Sequence, residues 1–278
     1  MDTTWRQITI TFGDWATAEQ TVLTHLAPRL ATAETVRFIG PWFFLRKNPS
    51  WRFRYQPPGD PTAAEDHLLH TFGSLQRDHH LALVTPTIYE PEIHAFGGPE
   101  AMTSAHRLFA LDSHHLVDHL ARHPGRPHRR ELSILLCTAL LRAAGLDWYE
   151  QGDVWARVAD HRDPPRALPD HRLKRLRDGL RHLMTADITQ LTREGAPLTV
   201  PAAWPQAFTS AGHDLAALAS AGRLHRGPRA VLAHHIIFAF NRIGLPHATQ
   251  ATLATGAKAV VFGPDPSIDD QSAQGASA

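Results

Sequence analysis

The spacing of apolar residues changes along this chain, and that change limits the folds open to it. In the first quarter apolar and polar residues alternate: Ile8, Ile10 and Phe12 share one face of a strand while Gln7, Thr9 and Thr11 take the other. From Pro99 onward the period is helical. Strands gathered ahead of a long helical stretch predict an α+β fold. The expected form is a mostly antiparallel sheet from the N-terminal third, covered by a helix-rich C-terminal two thirds.

Gly13-Asp14 ends the first strand and offers an N-cap to a helix from Trp15 to about Leu26. Val36 to Arg46 and Trp51 to Tyr55 read as the next two strands. Lys47-Asn48-Pro49-Ser50 turns between them, because Pro49 fixes its own φ and restricts Asn48. A helix near Thr62 to Arg77 and a strand near Leu81 to Tyr89 follow. Pro99 opens a helix that runs to about His123. Leu132, Leu135, Leu136, Ala139 and Leu140 mark another, ended by Gly145, and Leu173, Leu176, Leu180 and Leu183 a third. Loops are expected at 162–169 and 195–205, and a helix apolar almost all round at Val231–Ile243. One domain over 1–262 is expected, with a disordered tail over 263–278 that is rich in Asp, Ser, Gln and Gly.

Composition removes several function classes. The formal net charge is +1, from 28 basic and 27 acidic residues, too balanced for a general polyanion binder driven by counterion release. No direct nucleic-acid partner is expected. The single cysteine, Cys137, excludes a disulfide framework and suits a reducing compartment. The N-terminus has no apolar signal region and no stretch spans a bilayer, so the expected location is cytoplasmic, without a membrane partner. The 20 histidines include no HExxH and no Cys/His cluster, so no metal site is expected. His115, His119 and His123 share a helical face and read as solvated.

Three segments carry chemistry. Arg52 and Arg54 alternate with Trp51, Phe53 and Tyr55, so they stand side by side on one sheet face, and Arg46 can join them across the hairpin. Converging guanidinium groups make a carboxylate or phosphate receptor; a solvent-facing sheet surface accounts for the same pattern. Tyr89-Glu90-Pro91-Glu92 leads to Phe96-Gly97-Gly98-Pro99. Glu92 is the better charge partner for the arginines, His94 could act as acid or base, and the double glycine permits close approach of another group. The alternative is a plain connecting loop. The buried helix carries His234, His235, Asn241 and Arg242, whose burial costs several kcal/mol unless each is paired. It holds a satisfied core network or a site.

The blocks WFFLRKNPSWRFRY, YEPEIHAFGGPEAM, LFALDS, RRELSILLC, DWYEQGDVWARV and HHIIFAFNRIGL occur in order. With them the chain resembles the thiopeptide-type bacteriocin biosynthesis proteins, the stand-alone form of the lantibiotic dehydratase C-terminal domain, over about residues 5 to 262. The resemblance implies a precursor peptide, leader and core, as substrate, with glutamyl esters on its serines or threonines. It implies elimination of glutamate to leave dehydroalanine or dehydrobutyrine, without a cofactor, beside a separate glutamylating dehydratase subunit. A homodimer is compatible with it.

In this resemblance Arg52 and Arg54 match the family's paired arginines and Glu92 its glutamate; Arg46 and Asn241 join them as substrate-binding residues. His235, His234, Arg242 and His94 are the catalytic candidates, His235 first, because an adjacent Arg242 would hold its ring neutral. Where lantibiotic enzymes place an arginine before the aromatic-Gly-Gly, this chain has Ala95. Where they place a histidine before Asn-Arg, it has Ala239 and Ile237. The family includes a branch that instead joins two dehydroalanines in a [4+2] aza-cycloaddition, forming a pyridine. Three readings stand: an eliminase, a pyridine synthase, and a non-catalytic precursor-binding partner.

Overall fold

The computed structural model describes residues 5–125, 128–196 and 198–263. They gather into two compact units inside the span read as one domain. The first holds the described residues of 1–93, 102–127 and 241–244, the second those of 94–101, 128–240 and 245–278. Apart from Gly263, the tail expected to be disordered lies outside the described residues.

The first unit is built on a four-stranded antiparallel sheet in the order β2-β3-β1-β4, from β1 (Arg6–Thr11), β2 (Trp42–Lys47), β3 (Ser50–Tyr55) and β4 (Leu83–Thr87). Ile8 pairs with Phe53, Ile10 with Trp51, Phe44 with Phe53 and Trp42 with Tyr55, so these side chains share one face. These side chains are all buried. Against it lie a helical run, α1 (Ala18–Thr21), a π turn (Val22–Leu26) and α2 (Ala27–Thr35), with α3 (Pro61–Arg77) and α4 (Pro99–Arg122). Phe53 meets Phe72 of α3 edge-on at 5.7 Å, and Trp42 meets His114 of α4 at 4.2 Å. Each large apolar side chain buried here contributes about 1.5–3 kcal/mol. Asp60 caps α3 by accepting from Thr62 N, and Pro61 follows at the first helical position.

Two expectations change in this unit. Val36 to Gly40 is not strand: α2 runs to Thr35, Arg37 turns with φ +58°, and Val36 and Phe38 stay exposed. Alternation there imitated a strand where a helix exit intervenes. His119, read as solvated, is buried and stacks on His123 at 4.4 Å.

The second unit is helical. It comprises α5 (Arg129–Ala143), α6 (Trp148–Asp160), α7 (Asp170–Thr185), α8 (Ile188–Thr192), α9 (Ala203–Ser220), α10 (Pro228–Ile243, through Phe240) and α11 (His247–Phe262). Helix α5 packs on α9 and α7, and α11 on α6 and α7. The α5–α9 crossing is close because Gly212 has no Cβ; one there would lie 2.5 Å from the Leu140 carbonyl oxygen. Asp147 and Glu150 form a reciprocal capping box at the start of α6.

Candidate functional site

The other face of the sheet holds the candidate site. Register pairs Gln7 with Arg54, Thr9 with Arg52 and Gln7 with Thr87, which sets these side chains on one surface. Together with Tyr89, Glu90 and Glu92 from the segment after β4, they line an open pocket of about 530 Å³. Arg52 is half-buried, whereas Arg54 is only 2% exposed.

Arg54 is held firmly at one end. Its Nε donates to Gln7 Oε1 at 2.7 Å, and Gln7 Nε2 donates to Thr87 Oγ1 at 2.8 Å. The guanidinium lies over the Tyr89 ring at 4.2 Å and near Phe43 at 5.4 Å. Its buried Nη1 has no hydrogen-bond partner, and neither has the buried Glu92 Oε2. Native proteins pair nearly all such atoms, and these two lie beside a pocket open enough to admit polar groups of a ligand. Burial pulls the Arg54 pKa below its ordinary value, a shift that Tyr89 and Glu92 partly offset.

Sequence reasoning missed the partner of Tyr89. Its hydroxyl lies 2.8 Å from Nε2 of His106, a ring packed against Trp5 at 4.6 Å. Burial, reinforced by Arg54, lowers the His106 pKa to about 4, and burial pushes Tyr89 well above its ordinary range. Both groups are therefore neutral near pH 7. Among so many histidines nothing singled out His106, which falls between the blocks YEPEIHAFGGPEAM and LFALDS.

Arg46 does not join the pair. It lies opposite Trp51, on the helix-covered face. Its guanidinium sits 4.4 Å from the Trp51 ring, Nη1 meets Glu19 Oε2 at 2.5 Å, and Nε donates to the Arg242 carbonyl at 2.8 Å. Arg242 is equally committed: Nη1 reaches Asp112 Oδ2 at 2.6 Å, with side chains 1% and 6% exposed. The structure thus draws Arg242 into a buried ion pair within the first unit, where half-buried Asn241 also belongs.

The remaining candidates belong to the second unit. His94 is exposed. His235 is buried, and Phe96 presents its ring edge-on to His234, His235 and Phe238 at 4.9–5.3 Å. His234 is held neutral: burial first, then Arg226 and His161, lower its pKa to about 4. Arg226 also donates to the carbonyl of Ala95 at 3.1 Å. Gly97 and Gly98 take φ of +90° and +112°, and the close approach expected of them is present. A Cβ on Gly97 would lie 2.6 Å from Leu224 Cδ1, one on Gly98 2.9 Å from the His225 ring, and His225 N donates to Gly97 O at 2.8 Å.

Among the described residues no cluster of three or more His, Cys, Asp or Glu could hold a metal ion, and no helix is long and apolar enough to cross a membrane. No curated protein matches the chain by sequence. Several solved structures share its fold. The tRNA-dependent lantibiotic dehydratase MibB from Microbispora sp. 107891 is 18% identical with a TM-score of 0.59, covering 98% of this chain and 28% of that one. TsrL is 16% identical with a TM-score of 0.57, covering 94% and 99%. The pyridine synthase TbtD from thiomuracin biosynthesis is 14% identical with a TM-score of 0.59, covering 93% and 97%. The sequence itself matches the lantibiotic biosynthesis dehydratase C-terminal family across residues 5–261, and it is to this family that the chain belongs.

Proposed function

We propose that the chain acts in the biosynthesis of a ribosomally made, post-translationally modified peptide, as the component that eliminates glutamate from glutamylated Ser or Thr. One observation carries this reading. Arg54 Nη1 and Glu92 Oε2 are a buried donor and a buried acceptor left open beside one pocket. A glutamyl ester keeps a free carboxylate and a free ammonium, which such a pair suits. Elimination breaks Cα–H and Cβ–O and forms the Cα=Cβ bond; the proton goes to a base and the electron pair leaves on the glutamate carboxylate. Arg52 adds a second guanidinium for that departing charge. The base is to be assigned among the histidine candidates His235, His234 and His94 by side-by-side alanine variants.

The partners that go with this reading are a precursor peptide and a separate glutamylating dehydratase. Mass spectrometry of a glutamylated precursor incubated with the protein tests it: a product one water lighter than the unglutamylated peptide supports elimination, and an unchanged mass or simple ester hydrolysis overturns it. A second reading, pyridine formation by cycloaddition, is favoured by Ala95, which stands where lantibiotic enzymes place an arginine. A peptide already carrying two dehydroalanines, losing its leader on incubation, would establish it.

A further inference from the structure

We infer that Tyr89 donates a hydrogen bond to the substrate carbonyl oxygen on which negative charge collects as the α-proton leaves, with His106 positioning its hydroxyl. The inference rests on the elimination reading. Tyr89 lines the pocket that Arg52, Arg54 and Glu92 also line. Its ring lies beneath the Arg54 guanidinium at 4.2 Å, and its hydroxyl is 2.8 Å from His106 Nε2. His106 is braced in turn by Trp5 at 4.6 Å and Phe43 at 5.8 Å, so the hydroxyl is held by a group with little freedom to move.

The protonation states decide the role. A phenol pushed above its ordinary range by burial keeps its proton, which makes Tyr89 a donor and a poor base. A neutral imidazole has two tautomers. In one, Nε2 accepts the phenol proton. In the other, Nε2–H donates to the phenol oxygen, and the phenol proton is free to turn into the pocket. A substrate carbonyl there selects the second arrangement. The guanidinium above the ring then favours charge drawn toward the phenol oxygen as the enolate-like oxygen develops. Tyr89 shares its proton without losing it, so the balance of bonds in the elimination is unchanged.

Tyr89→Phe removes the hydroxyl and leaves the ring beneath Arg54. The elimination rate in single turnover should fall roughly 10²–10³-fold, with the Kd for glutamylated precursor and the thermal midpoint little changed. His106→Phe should lower kcat about tenfold at constant KM, and His106→Asn, which restores an N–H donor, should recover part of the loss. A purely packing role would move Tm and Kd and leave kcat alone. Wild-type elimination with an equally active Tyr89→Phe overturns the inference and leaves the elimination reading standing. If Tyr89→Phe melts early, wild-type kcat in His106→Phe overturns it instead. A wild-type protein that leaves the glutamylated peptide unchanged overturns both.

Discussion

Arg46 and Arg54 stand on neighbouring strands of one hairpin, both largely withdrawn from water, and they do opposite things. Arg46, on the helix-covered face, is ion-paired with Glu19, donates to the Arg242 carbonyl and lies over the Trp51 ring. Arg54, on the pocket face, has its Nε held by Gln7 and its plane stacked on Tyr89, while Nη1 points to no protein acceptor. Burial therefore does not separate a structural arginine from a receptor. What holds each guanidinium does separate them: a carboxylate and a carbonyl for Arg46, a neutral amide and a ring beside the pocket for Arg54.

The most severe test of that contrast is Arg242→Ala. It leaves Asp112 buried without its counter-ion and should destabilise the fold by about 3–5 kcal/mol in denaturant titration. A loss too small to resolve would mean that engaged guanidinium groups here are not structural. Next comes Arg54→Ala, which should lower elimination roughly 10- to 100-fold, the equivalent of a charge-assisted contact, with the thermal midpoint nearly unchanged. Arg46→Ala should show the reverse: about 1–3 kcal/mol of stability lost, with turnover per folded molecule retained. Two variants that fail alike would erase the distinction.

A smaller effect comes from the two neutral imidazoles. His106 and His234 have folded pKa values of about 4 against an ordinary 6.5. Between those values the unfolded chain binds more protons than the folded one. Their contribution is full above about pH 6.5 and is lost as pH falls toward 4. His106→Phe should flatten that decline; an identical pH profile would argue that the ring is charged in the folded protein. Smallest is Arg52→Ala, at a half-exposed guanidinium, where elimination should drop about threefold.

The hairpin shows how much could be read ahead of the structure. Alternation alone set Arg52 and Arg54 on one face and Trp51 and Phe53 on the other, as the register has them. The same parity, carried through the turn, would have settled Arg46. Lys47 pairs with Ser50, so Arg46 must face Trp51's side. The expectation that it joins Arg52 and Arg54 counted nearness in sequence and skipped the pairing. Helices α9 and α11 escaped individual notice because alanine and glycine, which pack closely without a strong apolar stripe, make up much of both. The Tyr89–His106 contact joins residues 17 positions apart through side chains, and no periodicity encodes it.

Surface loops are ordinarily where a chain is lengthened most cheaply, for a label or an affinity handle. The connection between α9 and α10 is an exception, because Leu224 and His225 seat where Gly97 and Gly98 carry no side chains. It works as a key cut for one lock. One added residue ahead of Leu224 would bring the wrong side chains to the slot, and one methyl on either glycine would fill it. A reporter belongs instead in the largely exposed stretch 163–168, where the chain has no such fitting to lose.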